Sequence, residues 1–334
     1  MHASATPQAP RHRLLLALLV ITMASTAQAD AAAPEGCDRE CLRGVLDRYL
    51  AAVFRHAPAE AGLAAGHRAT ENSRTLGDGD SVWQDMTGYG SVARRYVDTQ
   101  AQQVAYFGLL REQAGPAIVS VRLKAGGREV LEAEWTVARA AYGGLFSVEG
   151  LEHDPPPTEA MLPAGERTPR AQLVAAANAY FDGLQRHDGS AVPHVDGCER
   201  VENGMRVTHS HILPPGAPMP AAGGVSAARG APVANAAPIA GAAPTAAQES
   251  LSGDCVAGFE GFAHSIAGTD LRRFPLVDEE AGVVMGTTLF HRPPGSTLRR
   301  NLLTEYFHIR QGRIAAIHAA MYYLPPEAAD GTGW

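Results

Sequence analysis

The chain has 334 residues, of which 46% are hydrophobic and 19% charged, and its formal net charge is −7 at pH 7. This length allows two domains of ordinary size. The acidic balance argues against the basic surface with which proteins bind nucleic acids, so we expect no nucleic-acid partner.

The first predicted element is a secretory signal peptide over residues 1–29. Arg11 and Arg13 precede an apolar run that begins at Leu14, and Ala27-Gln28-Ala29 has the small residues of a cleavage site. The run is shorter than the ~20 residues that cross a bilayer, which makes an uncleaved membrane anchor the weaker alternative. We expect an exported protein, periplasmic or secreted, with no membrane association after cleavage.

Four cysteines make an even set, and in an exported chain an even set predicts disulfides. Of the three possible pairings we favour Cys37–Cys41 together with Cys198–Cys255, because the first would close a small loop at the start of a helix. A metal site is the weaker alternative, since no pair has C-x-x-C spacing. We expect neither a metal nor a cofactor.

The chain contains two copies of one segment. At a shift of 131 positions Tyr49 matches Tyr180 and Glu71-Asn72 matches Glu202-Asn203 without a gap. The same register also pairs Arg55-His56 with Arg186-His187 and Gly66 with Gly197.

The offset grows farther along the chain, as an insertion in the second copy would require. Val97-Asp98 then aligns with Val277-Asp278 and Trp135 with Ala319, while Leu123-Lys124 is placed on Ile309-Arg310. The two copies therefore extend to the final strands of each module.

These matches divide the mature chain into two modules, over residues 35–145 and 170–326, joined by a linker over residues 146–169. The insertion, residues 214–247, consists almost entirely of Ala, Pro and Gly, a composition that buries too little side chain to order itself. We expect this insertion to be disordered.

Each copy begins with an amphipathic helix and ends with strands of alternating polarity. The helical stripes contain Leu42, Val45, Leu46, Tyr49, Leu50 and Val53 in the first copy and Leu173, Ala176, Ala177, Tyr180, Phe181 and Leu184 in the second. Helices followed by an antiparallel meander predict an α+β fold in which a curved antiparallel sheet wraps around N-terminal helices.

Several segments carry a family resemblance. They are Cys37–Leu42, Arg186–Asp188, Glu202–Gly204, Arg272–Glu280 and the closing hairpin Phe307–Ile314, which contains Gly-Arg-Ile. The chain resembles the cone-shaped fold of nuclear transport factor 2, ketosteroid isomerase and the SnoaL-type polyketide cyclases. More narrowly, it resembles an uncharacterised family of tandem SnoaL-like proteins, many of them exported. The resemblance implies two tandem cone-shaped modules but no particular reaction, because that superfamily includes enzymes of several kinds and plain binding modules.

Glu305 is the most informative single residue. In a strand, alternate residues share a face, so Glu305 lies with the apolar Leu303 and Phe307. Desolvation on such a face would raise its pKa toward the range of a general acid or base. Val119 is expected at the matching position of the first copy. The alternative is that Glu305 sits at the mouth of the sheet or pairs with Arg273.

Three further residues are candidates for the same catalytic site. Tyr180 could donate a hydrogen bond as a tyrosine does in ketosteroid isomerase, although a core tyrosine bonded to a backbone carbonyl is favoured. Glu202 could form a carboxylate pair with Glu305 or Asp196, and Asn203 could donate a hydrogen bond; a structural turn explains Glu202-Asn203 equally well. The residues expected to bind substrate are Asp196, Arg200, Arg273 and Phe307.

The histidines are weaker candidates. His209 and His211 would share one face of a strand as half of a metal site, but a solvated edge is the favoured interpretation. His318 alternates with apolar residues and is expected on the outward face, at a surface or domain interface, as is Glu134.

The sequence therefore predicts an exported enzyme that uses acid–base chemistry in the second module. It would be a lyase, dehydratase or isomerase acting on a small hydrophobic molecule. The alternative is a non-catalytic tandem protein that binds a ligand or has a structural role, with a homodimer as a possible assembly.

Overall fold

The computed structural model describes residues 1–3, 36–209 and 253–325, and in the second and third of these ranges the chain forms two six-stranded sheets. The predicted signal peptide, apart from its first three residues, and the predicted insertion lie outside the described residues. The chain thus combines α and β structure in two β-rich modules.

The first module begins with helix α1 (Arg39–Phe54), and its sheet order is β2-β1-β6-β5-β4-β3. Its strands are β1 (Leu63–Glu71), β2 (Arg74–Thr75), β3 (Met86–Asp98), β4 (Gln103–Glu112), β5 (Gly115–Gly126) and β6 (Glu129–Ala138), with the short helix α2 (Val82–Asp85) before β3.

The second module repeats this arrangement after a short helix α3 (Val148–His153). Helix α4 (Arg170–Arg186) opens the module, and the sheet order is β8-β7-β12-β11-β10-β9. Its strands are β7 (His194–Glu202), β8 (Met205–Arg206), β9 (Gly268–Asp278), β10 (Val283–His291), β11 (Asn301–Arg310) and β12 (Arg313–Tyr323).

The sheets are not wholly antiparallel, which corrects the predicted meander. β1 lies parallel to β6, and β7 lies parallel to β12, while the other pairings in each sheet are antiparallel. The parallel pairing arises because the chain crosses from β1 over the sheet to β3, returns through β4 and β5, and closes with β6 beside β1.

Each helix lies against one face of its own sheet. The apolar stripes predicted from the sequence are buried: the stripe on α1 packs with the β-strands of the first module and the stripe on α4 with those of the second. The start of α1 is capped by Asp38, whose side chain accepts a hydrogen bond from the Cys41 N–H at 2.8 Å. No described helix is both long and apolar enough to cross a bilayer.

The opposite faces of the two sheets pack on each other. Tyr96, Phe107 and Ile118 of the first module form one cluster with Met285 and Tyr306 of the second. Two buried hydrogen bonds cross the same interface, between Ser120 and Tyr306 at 2.7 Å and between Thr136 and Thr304 at 2.8 Å. The two sheets therefore share one core in addition to their own.

The strand registers correct one detail of the repeat. In both modules a β-bulge interrupts the pairing of the last two strands, after Lys124 in β5 and after His308 in β11. Because the bulges coincide, Lys124 corresponds to His308 and not to Arg310. The counterpart of Glu305 is therefore Val121, two residues beyond the predicted Val119.

Candidate acid–base site

Glu305 lies on the helix-facing side of β11 and is 1% exposed. Its strand neighbours Leu303 and Phe307 belong to the core against α4, where the ring of Phe307 packs on that of Tyr180 with centroids 5.3 Å apart. The Oε2 atom of Glu305 is buried and has no hydrogen-bond partner among the described residues. The sequence placed this carboxyl group on the correct face.

Burial raises the pKa of Glu305 to about 8, and the nearby Glu202 adds to this effect while Arg200 opposes it. At neutral pH most of the Glu305 carboxyl is therefore protonated. Such a group can donate a proton near physiological pH, which an ordinary glutamate cannot.

Glu305, Glu202, Arg200 and Tyr180 form the acid–base cluster of the second module. Arg200 supplies its positive charge and is 3% exposed. Its Nη1 atom donates to the Tyr180 hydroxyl at 3.1 Å and to the Cys255 carbonyl oxygen at 3.2 Å. Its Nε atom lies 3.1 Å from Oε1 of Glu202, an ion-pair distance without hydrogen-bond alignment. Arg200 thus lies between a buried tyrosine and Glu202, and it is near enough to Glu305 to lower the pKa of that carboxyl group.

Glu305 and Glu202 lie in one row of directly paired residues that crosses four strands. Gly286, Glu305, Ala319 and Glu202 follow one another across β10, β11, β12 and β7. A side chain on Gly286 would bring a Cβ within 3.0 Å of the Phe307 ring, so the glycine lets that ring pack over the strand. Glu305 has small residues on both sides.

The same row in the first module differs at three of its four positions. Its members are Tyr106, Val121, Trp135 and Glu71, and the Trp135 indole donates to the Tyr49 hydroxyl at 3.2 Å. In the second module the equivalent tyrosine receives its hydrogen bond from an arginine. The polar cluster is therefore specific to the second module.

The counterparts of the two remaining residues show how the modules differ. Ala69 stands at the position of Arg200, and Glu71, at the position of Glu202, is bound to Arg139 with Nη1 and Oε1 2.8 Å apart. Comparing the copies at the offset of 131 would have revealed the Ala69 and Arg200 exchange. The alignment of the final strands places Ala319 of the second copy where the first has Trp135. These two differences between the copies are the sequence signal for a polar group around Arg200.

Asn203 is a predicted catalytic donor, but both the nitrogen and the oxygen of its side-chain amide form hydrogen bonds with the backbone. Nδ2 donates to the carbonyl oxygens of Leu145 at 3.0 Å and Met321 at 2.9 Å, and Oδ1 accepts from the Met321 N–H at 2.7 Å. Asn72 binds Val137 in the same way in the first module. These bonds give Asn203 a structural role at the end of β7, so the turn interpretation of this residue is the one that the geometry favours.

Two of the predicted substrate-binding residues lie away from the cluster. Arg273 points to the interface between the sheets, where its Nη2 atom pairs with Glu134, so the predicted alternative of a pair with Glu305 is wrong. Strand alternation explains this, because Arg273, Thr287 and Thr304 form a row on the face opposite to Glu305. Asp196 is exposed on β7.

His318 is buried between the two sheets, one of the two locations expected from its position in the sequence. Its Nε2 atom donates to the Asp154 carbonyl oxygen at 3.3 Å, and burial lowers its pKa to about 4. His209 Nε2 lies 3.2 Å from Oδ1 of Asp254, and His211 lies outside the described residues. Across the described ranges, no three or more His, Cys, Asp or Glu side chains are arranged to hold a metal ion.

Both predicted disulfides are present, Cys37–Cys41 and Cys198–Cys255.

Two cavities stand out in the described part of the chain. One of about 480 Å³ lies where the modules meet and is lined by Asp98 and Asp278, and another of about 300 Å³ lies beside β1 and β2. Neither is lined by Glu305.

The fold and this cluster define a two-module protein of mixed α and β structure with a buried acid–arginine–acid group in its second module. Residues 166–321 match the model of a family described as a domain of unknown function (DUF8021). No curated protein matches the chain. The family match covers the module that carries the cluster and brings no activity with it.

Proposed function

We propose that the second module catalyses an acid–base reaction on a small hydrophobic molecule, as a lyase, dehydratase or isomerase. The observation that carries this proposal is the buried Glu305 carboxyl group, whose Oε2 atom has no hydrogen-bond partner among the described residues and whose pKa is raised to about 8. A buried polar group without a partner destabilises a fold, and such groups concentrate at functional sites.

The two carboxyl groups divide the chemistry between them. Protonated Glu305 is the general acid, and Glu202, which is more exposed and faces the Arg200 guanidinium at 3.1 Å, is the carboxylate that accepts a proton. Tyr180 and Arg200 orient the polar end of the substrate, and the aromatic rings around Phe307 bind its apolar part.

The proposed fold is the tandem cone of SnoaL-like and nuclear transport factor 2-like proteins. The order of elements, with one helix packed on a six-stranded sheet in each module, supports it. Export to an oxidising compartment, periplasmic or extracellular, is supported by the two disulfides.

The second candidate function is non-catalytic binding or a structural role in a tandem protein. It is favoured by one observation: Glu305 lines neither the cavity where the modules meet nor the cavity beside β1 and β2. In that case a ligand would occupy another surface, and the cluster would only shape the core of the second module.

The test is a screen of apolar ketones, enones, alcohols and epoxides by ligand-observed NMR, which detects binding and conversion together. We expect the wild-type protein to convert at least one compound, at a rate that falls as the pH rises through about 8 because Glu305 loses its proton. Glu305→Gln should slow conversion by about 10²- to 10⁴-fold, the range for loss of a general acid.

The matched control is Glu129→Gln, which neutralises an exposed carboxylate at the start of β6 in the first module and should leave the rate unchanged. Binding without conversion by both the wild type and Glu305→Gln would favour the second candidate. Conversion by Glu305→Gln at the wild-type rate would remove Glu305 from the mechanism.

A further inference from the structure

The Cys198–Cys255 disulfide adjoins the acid–base cluster. Cys198 lies two residues before Arg200 on β7 and therefore on the same face of the strand. Its partner Cys255 belongs to the segment before the 3₁₀ turn Phe259–His264, and both cysteines are 0% exposed. The bond thus ties this segment to the strand that carries Arg200.

Arg200 is oriented by groups on both sides of this bond. The main-chain carbonyl of Cys255 accepts from its Nη1 atom at 3.2 Å, the Tyr180 hydroxyl accepts from the same atom at 3.1 Å, and the guanidinium carbon lies 5.4 Å from the centroid of the Phe262 ring. Phe262 lies in the 3₁₀ turn that follows this segment. The contact with the Cys255 carbonyl therefore depends directly on where the disulfide holds the segment, and the contact with Phe262 depends on the turn that continues from it.

The first module has neither the arginine nor a disulfide at these places. His67 stands at the position of Cys198 and Ala69 at that of Arg200. The disulfide of the first module, Cys37–Cys41, closes the start of α1 and touches no strand position of the row. The strand-anchored disulfide and the buried arginine thus occur together, in the module that carries the buried carboxyl group.

We propose that the Cys198–Cys255 disulfide is a positioning element of the acid–base site, which fixes the Arg200 guanidinium in the cluster by holding the Cys255 carbonyl against it. This proposal rests on the proposed function for its catalytic meaning. Its physical content, that the disulfide sets the environment of Glu305, can be measured without a substrate.

The test is the titration of the Glu305 carboxyl carbon by NMR in protein labelled with ¹³C-glutamate, with the resonance assigned by its loss in Glu305→Gln. The charged and titratable groups that act on Glu305 are Arg200 and Glu202 on β7 and Tyr180 on α4. The oxidised wild type is compared with Cys198→Ala/Cys255→Ala and with the matched control Cys37→Ala/Cys41→Ala.

We expect the titration midpoint to rise by about one pH unit or more in Cys198→Ala/Cys255→Ala, because a guanidinium released from the cluster no longer lowers the pKa of Glu305. The midpoint of Cys37→Ala/Cys41→Ala should stay at the wild-type value. A disulfide that only stabilised the fold would leave the midpoint of the folded protein unchanged, and that result would overturn the proposal.

If Cys198→Ala/Cys255→Ala does not fold, the folded Cys37→Ala/Cys41→Ala protein is titrated before and after reduction with dithiothreitol. Cys198–Cys255 is then the disulfide that is reduced, and the Arg200 side chain stays in place. A shifted midpoint supports the proposal, and an unchanged one overturns it. Because these titrations need no turnover, their outcome is independent of whether Glu305→Gln abolishes conversion.

Discussion

Glu305 combines three properties that rarely coexist in one side chain: burial among apolar groups, small neighbours on both adjacent strands, and no hydrogen-bond partner for Oε2 in the described structure. Arg200 stands nearby but is engaged by Tyr180, the Cys255 carbonyl and Glu202. The arginine therefore only partly offsets the desolvation of Glu305, and the carboxyl keeps its proton at neutral pH.

This arrangement predicts a specific dependence of stability on pH. The pKa of Glu305 is about 8 in the folded state, against an ordinary value near 4.5 in the unfolded chain, so the unfolded chain loses this proton first as the pH rises. Relative to Glu305→Gln, the wild type should lose about 1.4 kcal/mol of unfolding free energy per pH unit between about pH 5 and pH 8. Urea denaturation of both proteins at several pH values measures the difference.

Glu129→Gln provides the control for this experiment, because the carboxylate that it removes is exposed. Its unfolding free energy should stay parallel to that of the wild type over the same pH range. A constant difference between the wild type and Glu305→Gln from pH 5 to pH 8 would show that the carboxyl of Glu305 titrates normally, contrary to the prediction.

At the scale of elements, the two modules end their first long strand in the same way. Asn72 and Asn203 have positive φ angles, 50° and 46°, and each amide bonds the backbone of the last strand of its sheet. Asparagine suits the position because it tolerates the left-handed region while its side chain pairs with a backbone N–H and C=O. These bonds fix where β1 and β7 stop beside β6 and β12.

Asn203→Ala should lower the unfolding free energy by about 2–5 kcal/mol, because alanine is strained in this conformation and leaves buried backbone groups of Met321 unpaired. Asn203→Gly should recover the part that is due to backbone strain. Asn72→Ala, the equivalent change in the first module, should have a similar effect. Denaturant unfolding measures all three, and a loss below about 1 kcal/mol for Asn203→Ala would contradict a structural role.

At the scale of the whole molecule, the two modules exchange contacts through one pair of aspartates. Asp98 at the end of β3 accepts from the Val277 N–H of the second module at 2.8 Å, and Asp278 at the end of β9 accepts from the Val97 N–H of the first at 2.8 Å. The first residue of each helix completes the exchange: Arg39 pairs with Asp278 and Arg170 with Asp98. The repeat is thus also a symmetry of the interface, and each module completes the other.

Asp278→Asn should therefore destabilise the first module although the residue belongs to the second. The change removes the buried negative charge that faces Arg39, which keeps only its pair with the half-exposed Glu280, and it weakens the bond to Val97, an effect of about 1–3 kcal/mol. In a Trp334→Phe background the fluorescence comes from Trp83 and Trp135, both in the first module. In Asp278→Asn the unfolding midpoint measured by this fluorescence should fall together with the midpoint measured by far-UV circular dichroism.

Asp270→Asn serves as the control, since Asp270 is an exposed residue on the same strand and should shift neither midpoint. Should Asp278→Asn shift only the circular dichroism signal and leave tryptophan fluorescence unchanged, the modules would be unfolding independently. Coincident shifts are the signature of a single cooperative unit.

The sequence by itself determined the features that depend on local periodicity and on the repeat. The apolar stripes of α1 and α4 and the match of Val97-Asp98 with Val277-Asp278 could be read from spacing alone. The sequence favoured the observed disulfide pairing among three and placed Glu305 on the apolar face of its strand. Side-chain alternation in a strand and the helical period assign a residue to a face without any knowledge of its partners.

Only the tertiary structure decided which face met which partner. The bulges after Lys124 and His308 set Val121 opposite Trp135, the parallel crossover placed Glu202 in the row of Glu305, and the packing of the two sheets turned Arg273 toward Glu134. Each of these outcomes depends on pairings between residues far apart in the chain. A one-residue change of register reverses the face of every side chain in a strand, so local pattern alone does not fix them.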